Sequence, residues 1–252
     1  MPAGPSRLPD LPLWEPHWTQ AALAQRRALD GRMFARGFCM MPFADDERFF
    51  PSVADCYSYQ AVTGDWARSA MPKFLGVDLS SDKRPGNALV AIGLDPASRR
   101  RHLIRALKGN WTSPQLAAKI QELDDELHFR VILVESNGVQ KAIIDWLRQV
   151  KAPCWTRVRP FETTGKNKHD PELGVRSLEV EFSNKAWVIP AAEWEGHAPS
   201  CSCGWCTWHR EFEEYPMGST TDQVMASWFA RQALNMFSVP MGPAQIQGLH
   251  DR

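Results

Sequence analysis

Two short apolar runs each end on a carboxylate: Asp78 closes Phe74-Leu75-Gly76-Val77, and Glu135 closes Val131-Ile132-Leu133-Val134. Runs of this length and composition read as buried strands, so both acids stand where a strand leaves the core. Placing a carboxylate there costs free energy unless something compensates the charge. A third acid, Asp222, opens an apolar helical stretch that reaches Phe237. Three convergent carboxylates are the ligand set of a divalent-metal site for phosphodiester hydrolysis, in which two Mg2+ or Mn2+ ions about 3.5–4 Å apart activate water and stabilise the leaving oxygen. The local alternatives are a turn started by Asp78 with Ser80 and Ser81, a helix cap by Glu135 after Asn137, and a plain N-cap by Asp222.

A second constellation lies in HAPSCSCGWCTWH, where His197, Cys201, Cys203, Cys206 and His209 fall within thirteen residues. Tetrahedral Zn2+ takes four such ligands. Cys203 and Cys206 form a CxxC half-site with Gly204 at the knuckle, and His197 with Cys201 or His209 would close the shell. The compact spacing differs from that of a common two-by-two finger. A structural zinc would order a loop that has no helix or sheet of its own and, through Glu213-Glu214-Tyr215-Pro216, the position of Asp222. Thiols packed against Trp205 and Trp208, or redox chemistry, are the alternatives. Cys39, Cys56 and Cys154 stand in apolar or aromatic contexts and read as buried free thiols.

Basic residues cluster at Lys83-Arg84, Arg99 to Arg105, Lys151 to Arg159 and Lys166 to Lys168. Arg84, one turn beyond Asp78, and Lys166 and Lys168, in GKNKHD, are candidate contacts to the phosphates of DNA, with plain loop solubility as the alternative. Asp82, His169 and Asp170 are further polar candidates near the acids. Asp82 also reads as a turn cap, and His169-Asp170-Pro171 as a helix start.

The elements that must hold these groups follow from punctuation and periodicity. Phe74–Asp78, Asn87–Leu94 and His102–Leu107 read as three consecutive strands, and Ser113-Pro114 as the cap and first turn of a helix to about Leu127. Arg130–Glu135 reads as a strand, Val139–Val150 as a helix and Cys154–Val158 as a fifth strand. Pro171 to Phe182 fits helix and strand about equally, with helix preferred, and Ala186–Ile189 is a short strand ended by Pro190. Strands one to three, helix, strand, helix, strand is the order of ribonuclease H-like folds, an α/β mixed sheet flanked by helices. Ahead of it, a helix from about Thr19 to Arg36 and a mixed segment from Cys39 to Met71 make an N-terminal helical and extended arm over 1–70. The main domain is then 71–238, with the cysteine segment at 197–209 and a tail at 239–252.

With 252 residues the chain can bury a full core. Hydrophobic residues make up 44% and charged residues 23%, and no apolar stretch approaches the ~20 residues that span a bilayer. Lys plus Arg equals Asp plus Glu at 29 each, which argues against a strongly basic coat but leaves local patches free to track phosphates. The start, MPAGPSRLPDLPLWEP, shows no signal-peptide pattern, so a cytoplasmic location is expected and a membrane partner is not.

Three segments carry a family resemblance. FLGVDLSSDKRPGNALVAIG resembles the first acidic motif of phage large terminase nuclease domains, VILVESNGVQKAIIDWL resembles the second, and YPMGSTTDQVMASWFA resembles the Tyr/Phe-Pro turn and helix that bring the third acid. On that resemblance Asp78, Glu135 and Asp222 are the catalytic and metal-binding residues, over a match from about Lys73 to Ala233. LPLWEPHWTQAALAQRRALDGRMFARGFCMMPF also looks like the segment that joins the ATPase of such proteins to the nuclease. No GxxxxGK[ST] occurs, so the sequence carries no phosphate cradle of a packaging motor. The resemblance implies a Mg2+- or Mn2+-dependent endonuclease that cuts concatemeric double-stranded viral DNA. Its implied partners are a separate terminase ATPase, a small terminase subunit and a portal, in the host cytoplasm if a phage or prophage encodes the chain. Two other readings compete. One is a noncatalytic, zinc-stapled assembly module docking an ATPase or portal, with Trp14 and Trp18 as interface anchors. The other is a resolvase- or transposase-type nuclease of the same fold.

Overall fold

The computed structural model describes residues 19–29, 48–79, 86–136, 141–170 and 173–238. The expectations for Arg84, Asp82, Cys39, Trp14, Trp18 and the tail at 239–252 fall outside them. The chain divides into a unit of residues Met1–Arg48 and a larger one of Phe49–Arg252. In the first, helix α1 spans Gln20–Leu29.

The larger unit is built on one seven-stranded sheet: β1 (Tyr57–Ser58), β2 (Lys73–Asp78), β3 (Asn87–Leu94), β4 (Arg101–Gly109), β5 (Val131–Glu135), β6 (Val158–Phe161) and β7 (Trp187–Pro190). Their spatial order is β1-β7-β4-β3-β2-β5-β6. The meander β2-β3-β4 is antiparallel, while β5 runs parallel to β2, and β6 parallel to β5. At the other edge β7 and then β1 continue the sheet in parallel pairs. The helices of this unit are α2 (Thr63–Arg68), α3 (Ser113–Leu127), α4 (Lys141–Gln149), α5 (Gly165–Lys168), α6 (Ser177–Ser183), α7 (Gly204–Glu214) and α8 (Asp222–Ser238).

Period-two alternation divides the core into two layers. Leu75, Val77, Leu89, Ile104, Ile132 and Val134 face one side, where α3 covers them with Leu116, Ile120, Leu123 and Leu127, spaced one helical turn apart. Thr112 caps α3, its backbone N–H donating to Gln115 Oε1 at 3.0 Å, and His128 ends it with a left-handed φ of 54°. The cap is therefore Thr112, one residue before the expected Ser113. Phe74, Ala88, Val90, Ile92 and Leu133 face the other side, under Val224, Trp228, Phe229 and Ala233 of α8.

Three expectations change. Residues 49–70 are part of the sheet-bearing unit and not an arm: Phe50 is buried in the core, and β1 pairs with β7. The boundary expected near Ala70 thus moves to Arg48/Phe49. The fifth strand lies at Val158–Phe161, directly after a short 3₁₀ turn at Trp155–Arg157, instead of at Cys154–Val158. It holds Pro160 because β6 is an edge strand, where a missing N–H costs no ladder bond. The cysteine segment is not a bare loop: its second half is α7.

Candidate active site and thiol cluster

Sheet register explains why two distant acids meet. Val77 of β2 is paired with Val134 of β5, so Asp78 and Glu135 are the next residues of a parallel ladder and share a face. On the other side of β2, Asp78 is paired with Ala88 of β3, and Ala88 with Lys108 of β4. Glu135 is itself paired with Phe161 of β6. One row across the sheet thus reads Phe161, Glu135, Asp78, Ala88, Lys108, on the face that α8 covers.

Helix α8 supplies the third acid through a close approach at Gly76. A Cβ on that glycine would lie 2.0 Å from Ala226 O and 2.3 Å from Ala230 N, so the helix backbone rests directly on β2. Phe237, near the helix end, packs its ring 5.5 Å from that of Phe74, which sets α8 antiparallel to the strand. Four residues back from Ala226 is Asp222, about 6 Å along the helix. Two residues on from Gly76 is Asp78, roughly 6.7 Å along the strand. The two advances match and bring Asp222 beside Asp78.

The electrostatics report the same convergence. Asp78 is buried at 8% exposure. Burial, the charges of Glu135 and Asp222, a hydrogen bond with Glu135 and the charge of Glu211 all push its carboxyl well above the usual carboxylate range. Like charges gathered in a poorly solvated place favour either a bound proton or a bound cation.

Two residues that sequence reasoning missed complete the site. Lys108 Nζ lies 2.7 Å from Glu211 Oε1 and 3.0 Å from Asp222 Oδ2, and donates to Thr220 Oγ1 at 2.6 Å. Burial works against its ammonium, but the hydrogen bonds and charges of Glu211 and Asp222 outweigh that and hold its pKa above the ordinary lysine value. Glu211, on α7 and 4% exposed, also accepts from Thr220 Oγ1 at 2.6 Å and from Gln223 N at 2.6 Å. It therefore caps the first turn of α8 and anchors the base of the helix that bears Asp222. Gly86, at φ 138°, passes close by: a Cβ there would stand 3.3 Å from Asp222 Oδ2.

Lys166 is exposed and Lys168 half-buried on α5, in the segment that leaves β6 after Phe161, at the acid-bearing end of the sheet. Asp170 Oδ1 accepts from Leu173 N at 2.8 Å and so shapes a turn, where a helix start was expected; the next helix begins at Ser177.

The second cluster is separate. The ligand atoms of His197, Cys201, Cys203 and Cys206 all lie within 4.8 Å of one another. His209 is outside the group, its ring stacked on Trp194 at 4.9 Å and its Nε2 3.5 Å from Glu213 Oε1. Hydrogen bonds from its neighbours, Cys203 first, lower the Cys201 thiol to about 7, whereas burial and then Cys203 and Cys201 push Cys206 up. Cys56 and Cys154 are buried free thiols, and burial raises Cys154 to about 11.

The antiparallel meander continued by two parallel strands, helices on both faces, and an acid row at one end define an α/β chain of ribonuclease H-like architecture. The structure is similar to the large terminase nuclease from thermophilic phage G20c with bound zinc, at TM-score 0.48 and 15% identity over 66% of this chain and 82% of that one. It is similar to the large terminase nuclease domain from bacteriophage SPP1 with bound Mn, at TM-score 0.47 and 16% identity over 70% and 94%. It is also similar to the fowlpox virus Holliday junction resolvase, at TM-score 0.42 and 13% identity over 66% and 99%. No family model matches the sequence, and no curated protein matches it.

Proposed function

We propose that the chain is a divalent-metal-dependent endodeoxyribonuclease of the terminase type, with Asp78, Glu135 and Asp222 as its catalytic and metal-binding residues. The observation that carries the proposal is the arrival of these three carboxylates, from β2, β5 and α8, on one face at one end of the sheet. Their fit to a cation rests on donor chemistry: hard oxygens are the ligands Mg2+ and Mn2+ prefer, and the acid charges that oppose ionisation of Asp78 are the charges a cation would neutralise. When bound, such ions supply an activated water and charge stabilisation for the leaving oxygen.

The protein's own groups do the positioning. β2 and β5 hold Asp78 and Glu135 in adjacent register, and Gly76 seats α8 so that Asp222 arrives beside them. Lys108 pairs with Asp222 and Glu211, so it fixes the third acid beside the other two. Lys166 and Lys168, on the segment leaving β6, would meet the phosphates that flank a cut. Double-stranded DNA is the proposed substrate because the three acid-bearing segments resemble the terminase nuclease motifs. A terminase ATPase, a small subunit and a portal are the partners that follow from the same resemblance. Among the described residues no helix is long and apolar enough to cross a membrane.

Plasmid nicking tests this reading. With Mg2+ or Mn2+ present the chain should convert supercoiled DNA to nicked and linear forms, and chelation or Asp78→Asn should stop it. DNA binding without metal-dependent cleavage by the purified full chain would instead support the noncatalytic assembly module.

A further inference from the structure

We infer that His197, Cys201, Cys203 and Cys206 form a closed, structural Zn2+ site that braces α7 and, through Glu211, the base of the helix carrying Asp222. The metal site is argued independently of the nuclease reading; only its link to Asp222 rests on that reading.

Interatomic distances make the first part of the case. His197 Nδ1 lies 3.2 Å from Cys206 Sγ, 3.7 Å from Cys201 Sγ and 3.6 Å from Cys203 Sγ. Four ligands around one zinc at about 2.3 Å for sulfur and about 2.0–2.1 Å for nitrogen stand at the corners of a tetrahedron whose N···S edges are roughly 3.6 Å. The three observed edges scatter about that value. A disulfide would employ two of the sulfurs and give no reason for the third sulfur and the imidazole to converge on them. A purely packed thiol cluster gives no reason for the exposed His197 to point its Nδ1 at all three.

The local chain is shaped as a ligand-bearing knuckle. Cys203 is the N-cap of α7 and its Sγ accepts from Cys206 N at 3.4 Å, which places both sulfurs at a helix N-terminus where N–H groups and the helix dipole favour thiolate. Arg210 Nη2, one turn further on, donates to Cys201 O at 2.8 Å and Pro199 O at 3.3 Å and ties the loop to the helix. Three thiolates and a neutral imidazole around Zn2+ leave one net negative charge, which the Arg210 guanidinium stands near. Three thiols must shed their protons on binding, so loading is coupled to pH.

The brace reaches the acids through contacts already described and one more. Gly204 presses on β4, where an added Cβ would lie 1.9 Å from Ala106 O. Gln223 Nε2 then bridges β4 and α7, donating to Leu107 O at 3.0 Å and Gly204 O at 3.5 Å. The thiol knuckle, β4 and the first turn of α8 are thereby joined, and Glu211 lies on α7 beyond Cys206, holding Gln223 N and Lys108.

Metal analysis of the full chain, purified under reducing conditions and without added zinc, tests the inference. About one zinc per chain is expected, with an X-ray absorption shell of three sulfurs and one nitrogen. His209→Ala and Asp78→Asn should both retain the zinc, whereas Cys203→Ser should lose it. Should Cys203→Ser fail to fold, Co2+ exchange into the wild-type chain supplies the second measurement, with the intense visible bands of tetrahedral cobalt bound to thiolate expected. A zinc-free chain that gives no such Co2+ spectrum, or a disulfide joining two of the three cysteines under those conditions, would overturn the site. Zinc loss that lowers the melting temperature while leaving Mg2+-dependent cleavage per folded molecule unchanged would overturn the link to Asp222 alone. Absence of cleavage in the zinc-loaded wild type would count against the nuclease reading and not against the metal site.

Discussion

The acid row and the thiol cluster are both gatherings of ionisable groups, yet they are held by opposite means. Asp78 and Glu135 sit at the ends of strands whose preceding residues are almost wholly buried, so the core fixes them before any ligand arrives. His197, Cys201 and Cys203 sit on turns and at the mouth of a helix, half-buried or exposed, and only Cys206 of the four is buried. In the first region the fold compels charges together against their repulsion. In the second the ligand would do the compelling. A site built the first way tolerates loss of its metal, and one built the second way does not.

The largest effect that can break this contrast is at Asp78. Asp78→Asn should lower metal-dependent nicking by roughly 10³-fold or more, as several kcal/mol of lost charge stabilisation implies. It should not lower the melting temperature, because the change removes a buried charge that Glu135 and Asp222 oppose. A melt that falls together with activity would show Asp78 to be part of the scaffold instead.

Next comes Glu211→Ala, which strips the buried partner from Lys108 and the cap from α8. Breaking a buried pair from one side costs about 3 kcal/mol or more, read by chemical denaturation, and cleavage should fall with it. The two close-approach glycines then sharpen the comparison. Gly76→Ala forces α8 off β2 and Gly204→Ala forces α7 off β4, each at about 1–3 kcal/mol of overpacking. Only the former should abolish cleavage while zinc is retained; only the latter should weaken zinc retention. The smallest effect is expected at Lys166→Ala, where loss of one phosphate contact should reduce the salt dependence of DNA binding by a slope of about 1 with little change in stability.

Much of the acid row was legible in the sequence because its members interrupt a pattern. An acid closing an apolar run breaks the texture of a strand, and Asp222 opens an otherwise apolar helix. Glu211 was not legible, since in REFEE it is one of three glutamates, and only the packing of α7 decides that this one is buried while Glu213 and Glu214 are exposed. Lys108 was missed for a related reason. The third strand was expected to end at Leu107, whereas it runs to Gly109 and carries Lys108 into the row of Asp78. β1 has two residues and no periodicity to detect, and it is a strand only because β7 offers it an edge. Helix α7 was overlooked because Cys, Gly and Trp at its start are weak helix formers. Its apolar face, with buried Cys206, Trp208 and Phe212, becomes evident once it is packed on the sheet.

The most direct measurement is Mn2+ anomalous diffraction from crystals of the full chain soaked in Mn2+. The account predicts manganese density within coordination range of Asp78, Glu135 and Asp222, absent from an Asp78→Asn crystal treated in the same way. Manganese that ignores these three carboxylates and binds elsewhere, or density that is unchanged by Asp78→Asn, would contradict it.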